Sequence, residues 1–241
     1  TEIYTLSLHD ALPICCLDLL TQTGKDLAVA QQLALAAVQL QGVPGLVQVL
    51  ELCERLLDQW PTELYPRADD YDPEDYSARA MLIGELCNGD SLLHMLRETA
   101  VVSSGAGTMS FRDAEVLDDA IEPDPSGGGL SGPAHLQAIV RIHGAQTQQI
   151  DPSQINDEAL AALFRTVREP IDAAVQALQR LSERFGSQMP SGDRVLKMLR
   201  RALRRLSMEE QQLGAGAAMS VVNAAAGLPA GAAAVNGAPA H

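Results

Sequence analysis

The residues most able to do chemistry sit in "LLTQTGKDLAVAQQL" (19–33), where Gly24-Lys25 opens a long apolar segment. A phosphate loop needs a glycine five residues before such a pair and a Ser or Thr after it. Leu19 holds the first place and Asp26 the second, where a carboxylate repels phosphate. The pair therefore reads as a tight reversal at Gly24, with Lys25 a surface or capping residue and Asp26 favourable at a helix N-terminus. "GAGTMS" (105–110) is half of a dinucleotide fingerprint without the flanking strand and helix, and reads as a turn. In "DDYDPED" (69–75), a calcium-loop register from Asp70 and Asp72 puts Asp75 where the loop needs Gly and Met81 where it needs Glu. A solvated acidic loop fits better. His135 and His143 lie eight apart with no third ligand near in sequence, and no Gly-x-Ser-x-Gly elbow occurs. Glu51 and Glu54 read as a solvated helix face. No catalytic residue, metal ligand or cofactor site is expected.

The composition bounds what remains. Aromatic residues make up only 3% of the chain, and the apolar content is mainly Leu, Ala and Val, which favours helix-on-helix packing. The net charge of −14 is uneven: residues 1–130 hold six Lys/Arg against 22 Asp/Glu, and residues 131–241 hold 11 against nine. An acidic first half repels nucleic acid and anionic membranes, so no nucleic-acid partner and no direct membrane insertion are expected. The basic run "RVLKMLRRALRRL" (194–206) also carries an apolar stripe and reads as a solvated helix face. Cys15, Cys16, Cys53 and Cys87 form no Cys-x-x-Cys pair, which suits a reducing, cytoplasmic setting.

Periodicity then places the elements. A helix end over 15–23 is followed by helices over about 26–41 and 46–60, separated by a "GVPG" turn (42–45) and stopped by Pro61. Asp72-Pro73 reads as the start of a fourth helix running to Cys87, with a fifth from Asp90 or Ser91 to Glu98. Residues 101–111 form either a small hairpin or an irregular loop. A second helical region includes 153–186, with a break or kink at Pro170, and a last helix capped by Ser191.

In order and spacing these residues resemble the N-terminal domain of the TssA (ImpA-type) family of bacterial type VI secretion systems. The resemblance covers about 15–213. It rests on Lys25-Asp26-Leu27 after a Leu-Leu helix end, Gly42 and Gly45 in the next turn, and Trp60 leading to Tyr65-Pro66. "SARAMLIGEL" (77–86), "LLHMLRETAVV" (92–102) and "ERFGSQMPSGDRVLKMLRRAL" (183–203) continue it. Ala28 and Tyr65 depart from the Arg and His common in that family. The motif positions are structural, and Trp60 and Tyr65 read as core packing.

Composition and periodicity give an all-α fold: an antiparallel helical bundle over 15–117, which the resemblance makes a truncated ImpA-like N-terminal domain, a linker or loop over 118–133, a second group of amphipathic helices over 134–213, and a disordered Ala/Gly-rich linker over 214–241. The resemblance implies a non-enzymatic bacterial assembly component meeting baseplate, tube, sheath and membrane-complex subunits. It further implies homo-oligomerisation of the full-length protein through a C-terminal domain beyond the tail. "TEIYTLSLHDALPI" (1–14) resembles translated sequencing-adapter read-through and is expected to lie outside a truncated native domain. The competing readings are a generic helical adaptor unrelated to secretion and, last, a nucleotide-binding enzyme using Gly24-Lys25.

Overall fold

The structure is a computed structural model that describes residues 8–68, 71–118 and 130–225, with side chains over 11–68, 71–118 and 130–215. Nine α-helices occur among the described residues: α1 (Leu8–Asp18), α2 (Leu27–Gln41), α3 (Val43–Gln59), α4 (Ser77–Asn88), α5 (Asp90–Glu98), α6 (Phe111–Leu117), α7 (Pro133–Gln148), α8 (Asp157–Phe185) and α9 (Arg194–Ala225). A single antiparallel hairpin, β1 (Ala100–Ser104) and β2 (Gly107–Ser110), interrupts them. The fold is all-α, as expected.

α3 is the centre of the bundle. Its Leu46, Val49, Leu50, Cys53, Leu56 and Leu57 are all buried, the stripe that the sequence spacing predicts. Each fully buried aliphatic side chain contributes about 1.5–3 kcal/mol over exposure. α2 covers one flank of α3 and α8 another, while the long α8 and α9 pack on each other. The two helical regions on either side of 118–133 therefore share one core, in which Leu50 and Leu199 belong to the same cluster of buried side chains. Most of the expected linker itself, 119–129, lies outside the described residues.

The turn between α2 and α3 is shorter than expected. Only Gly42 lies between the helices, at φ +66°, and Pro44 already sits in the first turn of α3, where its missing N–H costs nothing. Gly45 is needed for contact: a Cβ there would lie 2.3 Å from the Ala37 carbonyl oxygen of α2. Gly24 differs. Its φ of 175° is ordinary extended backbone and the space beside it is open, so the tight reversal expected there does not require glycine.

Three other expectations are corrected. α4 begins at Ser77, because Asp72 accepts from the Glu74 N–H and Asp75 from the Ser77 N–H, and both carboxylates are used in turns before the helix. α8 runs through Pro170 without the expected break, with buried Leu160, Phe164, Ile171, Val175, Leu178 and Leu181 on both sides of it. Tertiary packing of that stripe outweighs the ~3 kcal/mol that an internal proline costs. α9 continues to Ala225, past the point where a disordered tail was expected to begin at 214. Alanine, the strongest helix former, fills much of that stretch; residues 226–241 lie outside the described residues. At the other end, α1 includes residues 8–14 of the adapter-like segment, and residues 1–7 are outside the description.

Residues 101–111 resolve into the hairpin, which two histidines of α7 tie down. His143 Nδ1 lies 3.0 Å from the Ser103 carbonyl oxygen and His135 Nε2 lies 3.0 Å from that of Ala106. A short helix that the sequence reading missed follows: Ser110 and Asp113 form a reciprocal capping box at the start of α6.

Two outcomes are expected. Gly45→Ala should lower the unfolding free energy by about 1–3 kcal/mol, the usual cost of overpacking, whereas Gly24→Ala should change it little; urea denaturation of the two variants makes the comparison. Burial pushes the Cys53 thiol up to about 12, with Glu54 adding to the effect, and the Cys87 thiol up to about 11, with Asp193 adding. Their contribution to stability is complete below the unfolded thiol value of about 8.5 and is lost as pH rises towards the folded values. Alkylation at pH 8 should accordingly modify exposed Cys15 first and leave Cys53 and Cys87 unmodified until the protein unfolds.

Candidate docking surface

Six of the eight family-motif positions converge at one end of the bundle. α1 passes into a π-helical turn, Leu19–Thr23, whose carbonyls need partners as the helix ends. Lys25 supplies one: its Nζ donates to the Leu20 carbonyl and lies 5.2 Å from the centroid of the Trp60 ring. An exposed cation–π contact of this kind contributes about 0.5–1 kcal/mol. Asp26 then caps α2, its carboxylate accepting from the Ala28 N–H at 2.8 Å, and Leu27 enters the core at 1% exposure. Lys25 thus caps the end of this turn, one of the two roles, surface or capping, that its sequence context allows.

The loop after α3 returns to this point. Tyr65 pairs through its backbone with the start of α2: its N–H donates to the Lys25 carbonyl at 2.8 Å and its carbonyl accepts from the Leu27 N–H at 2.9 Å. The Tyr65–Pro66 peptide bond is cis. With its backbone held, the Tyr65 side chain projects outward, 47% exposed, with the Arg67 guanidinium 4.9 Å from its ring centroid. The expectation that Tyr65 packs in the core is corrected: Leu64, fully buried, fills that role, and Trp60 is half-buried at the edge. Gly42 and Gly45 are not part of this face. They lie at the opposite end of α2, about 22 Å away at 1.5 Å per residue.

Arg79 of α4 holds the loop in place. Only 3% exposed, it donates from Nε to the Pro66 carbonyl at 2.6 Å and from Nη2 to the carbonyls of Leu64 at 2.6 Å and Pro61 at 2.9 Å. Its guanidinium also lies 5.0 Å from the Tyr76 ring. Burial lowers its pKa; the Tyr76 phenol works against that, and the nearby Arg184 charge adds to it. Arg79 lies in the "SARAMLIGEL" segment (77–86), whose sequence context assigns it no role. The available signal was its position: Arg79 shares a helix face with Ile83 and Leu86, where an apolar residue would ordinarily stand.

The resulting face combines a tyrosine ring, a tryptophan edge and two cations on a loop fixed by backbone hydrogen bonds. Such chemistry suits protein recognition, in which aromatic and arginine side chains are the usual anchors. The acidic segment that follows it contributes Asp72, Glu74 and Asp75, while 69–70 fall outside the described residues. The described residues contain no group of three or more His, Cys, Asp or Glu positioned to hold a metal ion. Replacing Arg79 with Met should leave three carbonyls without their donor and cost about 3–5 kcal/mol, in the range seen when a buried charged partner is removed. Guanidinium denaturation measures it, and Lys25→Met should cost about 1 kcal/mol or less on the same scale.

Residues 13–88 match the family model described as ImpA, N-terminal, type VI secretion system. That span includes every motif position named above and begins two residues inside the adapter-like segment. No curated protein sequence matches the chain. Among solved structures, the chain shares its fold with the N-terminal domain, including the ImpA_N region, of the TssA component of the type VI secretion system from Burkholderia cenocepacia. The two align with a TM-score of 0.56 at 18% identity, over 88% of this chain and 82% of that one. Residues 13–88 therefore carry the ImpA-type N-terminal pattern, on a fold shared with the N-terminal domain of a TssA component.

Proposed function

We propose that this chain is a non-enzymatic assembly component of a bacterial type VI secretion system, working in the cytoplasm. Its helical body docks to baseplate, tube or sheath subunits while the contractile tail is built, and it meets the membrane complex. The observation that carries this reading is the ImpA-type match over 13–88, together with the convergence of six motif positions at one end of the bundle, where Tyr65 is exposed. That face is the docking surface, with Tyr65 and Arg67 as its anchors and the Arg79-held loop as its rigid support. Among the described residues no helix is long and apolar enough to cross a membrane, which fits contact with the membrane complex through protein subunits.

The test is co-precipitation of the whole chain with purified tube, sheath and baseplate subunits. At least one subunit should be retained. A Tyr65→Ala, Arg67→Ala variant should bind it at least about tenfold more weakly, as expected for two interface anchors, with an unchanged circular-dichroism spectrum. A folded chain that retains none of these subunits, or a variant that binds as well as the parent, would count against the proposal.

A further inference from the structure

The two motif positions outside the docking face, Gly42 and Gly45, stand at the other end of α2, and a hollow opens beside them. It has a volume of about 330 Å³ and lies between the turn from α2 to α3, the start of β1, and facing stretches of α7 and α8, with Gly42 in its wall. That volume is within the ~300–1,000 Å³ typical of small-ligand clefts. The walls are mainly apolar. Pro44, Val101, Leu163, Val167 and Pro170 line it and keep surface to offer, since each is exposed or half-buried. No Asp, Glu, Lys or Arg is among the described residues that line it.

The polar side chains deep in the hollow share one property. Thr166 Oγ1 donates to the Ala162 carbonyl at 3.3 Å, Thr147 Oγ1 to the His143 carbonyl at 2.9 Å, and His143 Nδ1 to the Ser103 carbonyl at 3.0 Å. Their hydrogens are spent on the chain's own backbone, which leaves lone pairs: the two hydroxyl oxygens and, in the neutral ring, Nε2 of His143. α8 adds a stronger acceptor. The Thr166 carbonyl points along the helix at residue 170, and Pro170 has no N–H to give it. Leu163, Thr166, Val167 and Pro170 share one helix face, so this carbonyl opens on the hollow beside the proline ring.

These groups set the ligand. Acceptors call for a donor, and apolar walls call for an apolar body around it. An anion would meet lone pairs. A cation would find no carboxylate, and α3 turns the positive end of its dipole to the hollow at Val43 and Pro44. A neutral donor remains, and the tryptophan indole is the one uncharged side chain that donates a hydrogen bond and accepts none. The chain's single tryptophan does not supply it: Trp60 stands beyond the far end of the 17-residue α3, about 25 Å away, with the Lys25 ammonium over its ring.

We infer that the hollow between the α2–α3 turn, β1, α7 and α8 is a socket for a tryptophan side chain of a partner protein. Its indole N–H donates to the Thr166 carbonyl, and its ring lies against Pro44, Val167 and Pro170. Gln41 is exposed at the rim, where its amide oxygen accepts from Gln48 and its N–H groups are left to meet the backbone beside that tryptophan. The socket is at the other end of the bundle from Tyr65 and stands apart from the docking role proposed for that loop.

The experiment titrates the ¹⁵N-labelled 241-residue chain with N-acetyl-tryptophanamide, with its benzothiophene analogue, in which sulfur replaces the indole N–H, and with free indole. The backbone amides of Gly42, Val43, Val101, Val167 and Ile171 report binding. N-acetyl-tryptophanamide should shift them saturably. The sulfur analogue has the same shape without the donor and should bind at least about tenfold more weakly. Free indole lacks the backbone that Gln41 meets and should bind several-fold more weakly than N-acetyl-tryptophanamide. Pro170→Ala restores an N–H for the Thr166 carbonyl and removes a helix-interior proline, so the variant should fold, and in it the preference for indole over the sulfur analogue should vanish. Absence of a saturable shift, equal binding of the sulfur analogue, tighter binding of free indole, or a preference retained in Pro170→Ala would each overturn the assignment.

Discussion

A guanidinium taken out of water has to be given acceptors, and Arg79 is given three, all from one short loop. Much of the motif-bearing end depends on this. The carbonyls of Pro61, Leu64 and Pro66 can converge on one side chain only if the loop closes back towards α4, and that closure carries Tyr65 to the start of α2. The backbone pairing of Tyr65 with Lys25 and Leu27 then fixes where α2 begins and leaves the Tyr65 ring outside. Residues far apart in sequence are brought to one face through backbone hydrogen bonds, which explains how the face can be rigid while offering little apolar area of its own.

Around this end the chain uses its uneven charge for register. Arginines of α8 reach acids of α3, Arg180 to Glu54 at 2.7 Å and Arg184 to Asp58, while Arg194 and Arg204 of α9 reach Asp90 and Asp118. Arg97 and Arg201 share Glu115, which is almost fully buried. Exposed pairs of this kind contribute only about 0–1 kcal/mol each. Stability comes instead from the apolar core that α3 shares with α2, α8 and the rest of the bundle. The pairs distinguish the observed packing from alternatives in which like charges would meet, and the basic run of α9 is to that extent an internal surface as well as a solvated one.

The parts of the fold legible in sequence were those governed by local rules. The α3 stripe is readable because apolar residues at one spacing decide it, and Asp26 because helix ends need caps. What escaped depended on partners distant in sequence. Asp72-Pro73 has the form of a helix start, but its carboxylate is taken by the next turn. Pro170 should break a helix, yet core packing on both sides of it holds α8 together. Tyr65 looked like a core aromatic because composition cannot reveal that Leu64 would take the buried place. Arg79 stood in a quoted motif, but its importance depends on three carbonyls 13 to 18 residues away.

The proposed docking of secretion subunits on the loop after α3 would shield that loop from solvent. Hydrogen–deuterium exchange of the chain, alone and bound to a secretion subunit, tests this most directly, because it locates the contact without altering a residue. New protection should concentrate over residues 60–68 and the start of α2, with α5 to α7 unchanged. Protection confined to α1, to the hairpin or to α9, with residues 60–68 exchanging as in the free chain, would contradict it.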